Sequence, residues 1–174
     1  QVVLPLMAEI VAARAKHQML IVTGGGTRSR HAYAIALDLG MSTGILAKLG
    51  QSISEQNALM ISTLLAPHGG VKIGHDEVVQ LPAYLALGII PVMHAMPPYG
   101  LWEEPAEKGR IPPHRTDAGA FLTAEVLGAR RCILVKDEKG LFTADPKKDP
   151  QARFIPEIEV NELLAMDLAD LAVE

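Results

Sequence analysis

The chain has 174 residues, room for one domain of ordinary size, and 49% of them are apolar against 21% charged, enough for a sizeable core. Sixteen basic against twenty acidic side chains leave a net charge of −4. Neither half carries the clustered basic surface that a phosphate-backbone binder needs, so nucleic acid is a poor partner. No apolar run approaches the length that spans a bilayer, and a lone cysteine excludes an intrachain disulfide. The thiol usage fits a reducing compartment, the cytoplasm, and Cys132 in its apolar run reads as core packing.

In chain order, Leu6, Ile10, Val11 and Ala13 suit a helix beginning near Pro5, a favoured first-turn residue. Met19-Leu20-Ile21-Val22 reads as a buried strand that ends at Thr23, before three glycines. Helices are expected over 28–39, closed by Gly40, and over 45–65, closed near Pro67. A weak strand follows at 71–73, a short helix at 79–87 and a strong strand at 89–93, where Pro91 sits awkwardly for a central position. From Met96 to Asp117 no period is visible and five of the twelve prolines gather, which marks a binding loop or lid. A helix over 118–127 and a buried strand over 131–135 come next, then a polar loop over 136–153. The acidic stretch 157–174 has leucines at helical spacing. Short apolar strands separated by helices imply an α/β fold, a three-layer αβα sandwich around a mostly parallel sheet.

Three segments could carry chemistry. Gly24, Gly25 and Gly26 lie between a strand and a helix, where backbone N–H groups can approach an anion, and Arg28 and Arg30 follow. The segment is neither a P-loop nor a dinucleotide fingerprint, because Ser29 stands in place of the third glycine. Arg115, Thr116 and Asp117 close the proline-rich loop where a helix N-cap belongs and suggest a second anion site, with Asp117 organising a metal or a lysine. Lys136 opens a loop after the buried strand expected over 131–135, in which Phe142 could cover a base and Asp145 could fix a ribose. The six histidines show no metal spacing. His75, Glu77 and Gln80 form the one polar knot suited to a metal-oxide cavity. No Gly-x-Ser-x-Gly elbow exists, so that class of serine hydrolase is excluded.

Taken in order, these segments resemble the amino-acid-kinase superfamily, the fold of uridylate kinase and aspartokinase. Gly24–Gly26 is similar to its phosphate-acceptor loop, Thr116-Asp117 to the end of its Thr-Thr-Asp motif, and 140–146 to its nucleotide loop. A narrower resemblance is to the molybdenum storage proteins, particularly their beta-type subunits. It rests on Gly26–His31, Gln56-Asn57-Ala58, Met96-Pro97-Pro98-Tyr99 with Leu101-Trp102, Ile111–Gly119 and Val135–Glu138.

That resemblance implies ATP with Mg²⁺ as cofactors and molybdate or tungstate stored as polyoxometalate clusters. It also implies a hexameric cage of related or identical subunits. On it, Arg28, Arg30 and Arg115 steady anions, Thr116 and Asp117 organise the phosphoryl site, and Lys136, Phe142 and Asp145 hold nucleotide. His75, Glu77 and Gln80 touch the oxide. The chain is then expected to be a single domain over 1–174, a fragment without the N-terminal phosphate-binding strand and the C-terminal part. Two alternatives stay open: a uridylate-kinase-like phosphotransferase and a catalytically silent interaction module. Whether ATP is turned over is left open as well.

Overall fold

A computed structural model describes residues 3–97, 110–136 and 138–166. The Pro98-Tyr99 and Leu101-Trp102 pairs, Asp137, and Leu168 and Leu171 of the acidic tail lie outside them. The chain divides into two compact units, 1–132 and 133–174.

In the first unit, α1 (Val3–Arg14) leads to β1 (Ile21–Thr23), then α2 (Gly26–Asp38) and the long α3 (Thr43–Leu65). A 3₁₀ turn, β2 (Gly70–Lys72), a second 3₁₀ segment (His75–Gln80) and α4 (Leu81–Ala86) precede β3 (Ile90–His94), and α5 (Thr116–Val126) follows. The strands form a parallel sheet in the order β1-β3-β2, with Ile21 opposite Val92 and Gly70 opposite Ile90. Side-chain alternation along these strands sends successive residues to opposite faces. Ile21, Ile90 and Val92 pack with Met7 of α1 and Ala58, Ile61 and Leu65 of α3. Leu20, Val22 and Met93 pack on the other face with Ile73, Val78, Leu81 and Tyr84. Helices therefore cover both faces, the α/β arrangement that the alternating pattern predicts. No helix among the described residues is long and apolar enough to cross a membrane.

Pro91 sits in the central strand after all, and the ladder shows why. Ile90 N–H donates to Gly69 O (2.8 Å) and Ile73 N–H to Val92 O (2.9 Å), so even-numbered residues of β3 face β2. Ala95 N–H donates to Thr23 O (3.0 Å), so odd-numbered ones face β1. Pro91 thus faces β1 one residue before its first rung, Ile21 opposite Val92, where a missing N–H costs no bond.

Helix α2 meets α3 at a notch. An ideal Cβ on Gly50 would lie 1.9 Å from Tyr33 Oη, so the glycine makes room for the phenol. Leu46 and Ala36 complete that contact.

Two expectations are corrected. The run over 131–135 forms no strand among the described residues, and Ile133 is 77% exposed, with Leu134, Val135 and Cys132 exposed too. An apolar run records a preference for burial, whereas a strand also needs a neighbour to take its N–H and C=O groups, and this run has none there. Cys132 is accordingly not core packing. The N-cap of α5 is Arg115 rather than Thr116 or Asp117, which occupy the first two helical positions.

The second unit holds a short antiparallel pair, β4 (Leu141–Phe142) with β5 (Phe154–Ile155), and α6 (Val160–Ala165). The helix expected over 157–174 is described only to that extent.

Candidate functional site

The carboxyl ends of β1 and β3 lie side by side, Thr23 opposite His94, and each runs directly into a segment singled out from sequence. Thr23 Oγ1 donates to Ser54 O (2.8 Å), which fastens the end of β1 to the middle of α3. Gly24 follows, Gly25 is the N-cap of α2, and Gly26 begins the helix at φ +58°, a conformation open to glycine. The first N–H groups of α2 have no intrahelical acceptor and carry the positive end of the helix dipole. Side-chain capping is absent here, since the N-cap is itself a glycine.

Beside this loop Ser29 is 7% exposed, and its hydroxyl finds no partner among the described residues. That oxygen occupies the space a Gly25 side chain would need, 1.6 Å from an ideal Cβ. Thr116 closes in from α5, its Oγ1 3.0 Å from an ideal Cβ on Gly24. Gly24 and Thr116, far apart in sequence, are therefore brought together. Asp117 is half-buried in the first turn of α5, where a carboxylate suits the dipole. Arg115 is half-buried and close enough to α2 to act on Tyr33: burial raises the Tyr33 pKa, and the Arg115 charge opposes it. Arg30 is exposed on α2.

Arg28 is placed otherwise than its sequence position suggests. Its Nη1 donates to Asn57 Oδ1 (3.2 Å) and its Nη2 to Gln56 Oε1, while Asn57 Nδ2 donates to Gly24 O (2.6 Å).

A second polar cluster borders the loop. His94 is 3% exposed, with its Nδ1 unpartnered among the described residues and its Nε2 3.6 Å from Glu55 Oε1. Gln51 Nε2 donates to Glu55 (2.8 Å), and Lys48 Nζ donates to Gln51 (3.0 Å). The His75 ring lies 4.1 Å from that of His94. Burial lowers the His94 pKa to about 4, helped by His75, Lys72 and Lys48 and opposed by Glu55. His75 is lowered as well, first by burial. Both imidazoles are thus neutral at pH 7. The i, i+3, i+7 spacing of Lys48, Gln51 and Glu55 on one face of α3 was the signal available in sequence for this cluster.

His75, Glu77 and Gln80 do not converge on one point. His75 turns to His94, whereas Glu77 and Gln80 meet at Tyr84, whose Oη donates to Gln80 Oε1 (3.0 Å) and lies 3.4 Å from Glu77 Oε1, while Glu77 Oε2 accepts from Gly74 N–H (2.8 Å). No group of three or more His, Cys, Asp or Glu residues placed to hold a metal ion occurs among the described residues. A cavity of about 230 Å³ opens elsewhere, at the amino ends of β1 and β3, lined by Arg14, His17, Met19 and Ile90. Arg14 is occupied there with the carbonyls of Gly88 and His68.

In the second unit, Phe142 is half-buried against Phe154, with ring centroids 5.6 Å apart. Asp145 shapes its own turn: Lys147 N–H donates to Oδ1 (2.9 Å), and Lys148 Nζ lies 3.6 Å from Oδ2. Lys136 is exposed.

Comparison with known proteins fits this arrangement. A family profile described as "Amino acid kinase family" matches residues 2–172. The chain belongs to the amino acid kinase family. This family member is 51% identical over 172 residues to the molybdenum storage protein subunit beta of Azotobacter vinelandii, covering 99% of the chain and 64% of that protein. It is 31% identical over 153 residues to the uridylate kinase of Methanothermobacter thermautotrophicus, covering 87% of the chain and 61% of that enzyme. The chain therefore spans a little under two thirds of these relatives' length. The structure of uridylate kinase from Archaeoglobus fulgidus shares the amino acid kinase fold, with TM-score 0.66 and 22% identity over 92% of this chain and 67% of that one.

Proposed function

We propose that the protein of which this chain forms at least a part is a cytoplasmic store of molybdate or tungstate. It holds the oxyanion as polyoxometalate clusters inside a hexameric cage of related or identical subunits and uses ATP with Mg²⁺. The observation that carries this reading is the 51% identity to a molybdenum storage protein subunit across 99% of the chain, against 31% to a uridylate kinase across 87%.

The donor set by the glycine loop suits an oxyanion or phosphate group. Three glycines leave the backbone N–H groups at the start of α2 without side chains in front of them, Thr116 Oγ1 stands beside Gly24, and the buried Ser29 hydroxyl, without a partner among the described residues, stands against Gly25. In this reading Gly24, Gly25 and Gly26 cradle the anion, with Arg30 and Arg115 balancing its charge. Asp117 would hold Mg²⁺, which neutralises phosphate charge when bound. Lys136, Phe142 and Asp145 would hold the nucleotide, and His75, Glu77 and Gln80 would touch the oxide.

The test is elemental analysis of the full-length protein incubated with molybdate, with and without Mg-ATP, and then passed through gel filtration. Many molybdenum atoms per chain in a large closed oligomer, only when ATP is present, is the expected result. Replacing His75, Glu77 and Gln80 together with Ala should lower that loading while ATP binding is unchanged. A metal-free peak together with phosphorylation of UMP would overturn storage in favour of the kinase reading.

Arg115→Ala should weaken anion retention by about ten- to a hundredfold, from loss of a charge-assisted contact worth about 1.5–3 kcal/mol. Equilibrium dialysis with molybdate measures it, and unchanged retention removes Arg115 from the site.

A further inference from the structure

We propose that Asn57 is a positioning residue for the anion subsite of the glycine loop, and that Arg28 is the clamp that fixes the Asn57 amide rather than a ligand of the anion. The inference rests on the reading that this loop holds an oxyanion or phosphate.

Asn57 sits in the middle of α3, a rigid 23-residue helix, and spans between two groups of opposite demand. Its Nδ2 donates to Gly24 O at 2.6 Å, and its Oδ1 accepts from Arg28 Nη1 at 3.2 Å. Rotating the amide by half a turn would set its oxygen against the Gly24 carbonyl and its NH₂ against the guanidinium. Both new contacts repel, so Arg28 permits one orientation only. The other end of the guanidinium is held by Gln56 Oε1. Two terminal nitrogens of Arg28 are thus committed to neutral side-chain oxygens on α3.

What the clamp controls is a peptide plane. All peptide bonds here are trans. The C=O of Gly24 and the N–H of Gly25 belong to one planar unit and point to opposite sides. Anchoring the carbonyl on α3 turns the Gly25 N–H away from α3. Gly24 and Gly25 have no side chains to resist rotation of that plane, so the orientation must be supplied from outside the loop. Ser29 is independent support for a ligand at this helix start, since its side chain is more than nine-tenths buried, is set against Gly25 and finds no partner among the described residues.

The experiment is a double-mutant cycle on the full-length protein. Molybdate and Mg-ATP serve as separate probes, and affinity is measured by calorimetry at several salt concentrations. Asn57→Leu is expected to weaken binding by about tenfold, the scale seen when an outer-shell partner of a bound group is removed. Asn57→Asp can accept from Arg28 but cannot donate to Gly24, and should lose as much while leaving the melting temperature near that of the parent. Arg28→Met should weaken binding in the parent, add nothing in the Asn57→Leu background, and leave the salt dependence unaltered.

An equal loss from Arg28→Met in both backgrounds, with a flatter salt dependence, would make Arg28 a direct anion ligand and overturn the inference alone. A parent protein that binds neither probe would overturn the reading of the site and the inference with it.

Discussion

Gly119→Ala is expected to lower the denaturant midpoint by an amount equivalent to about 1–3 kcal/mol and to weaken anion binding at the same time. An ideal Cβ at this position falls 1.7 Å from Ala95 O, 2.9 Å from Ala95 C and 3.0 Å from Pro97 N. All three obstacles are backbone, so no change of rotamer relieves them. Either α5 must lift or the segment after β3 must give way. Alanine's advantage within a helix, about 1 kcal/mol over glycine, offsets only part of this cost. Thr116 lies one turn earlier in α5 and would be carried away from Gly24, which links the stability loss to the site. Urea unfolding of the variant beside the parent decides the matter, and an unchanged midpoint would show that the contact is not tight in solution.

Acidification should remove up to about 3 kcal/mol of stability between pH 6.5 and 4 through His94 alone. Its pKa in the folded chain is about 4, against an ordinary 6.5. Between those values the unfolded chain binds a proton that the folded chain refuses, so unfolding is favoured as pH falls. The contribution is fully present above pH 6.5 and is lost as pH falls through that window. His75 is shifted in the same direction and steepens the slope. Glu55 moderates it, being the one group named here that favours the charged imidazole of both histidines. Stability measured by urea unfolding at half-unit pH steps should show the fall, and His94→Gln should flatten it. An equally steep profile in that variant would assign the acid sensitivity to other groups.

The frame of this fold was legible because its signals are local. The glycine run after Val22, the helical period over 45–65 and the apolar run at 89–93 each report one element within one window of sequence. What failed to appear was partnership. The run over 131–135 has the composition of a strand, yet no hydrogen-bonding neighbour among the described residues. Arg28 stands beside the glycines in sequence, but its hydrogen-bond partners Gln56 and Asn57 lie on another helix, which no local pattern announces. Asn57 was visible only as part of a family-like string, because nothing in its neighbourhood announces a bond to Gly24. Likewise nothing in the sequence around His94 announces its contact with Glu55, which depends on how α3 crosses the sheet. Thr116 came within one position of its place at the start of α5, the normal uncertainty of a helix end.

The order of the sheet also decides when it can form. β1 and β2 never touch each other, since both hydrogen-bond to β3, which comes last of the three in the chain. Of the three strands described in this sheet, the two that come first in the chain therefore find no hydrogen-bonding partner in each other. Within this sheet both of their pairings need Ile90–His94, and Ile21 must find Val92 across all the intervening helices, a contact of long sequence separation that slows folding.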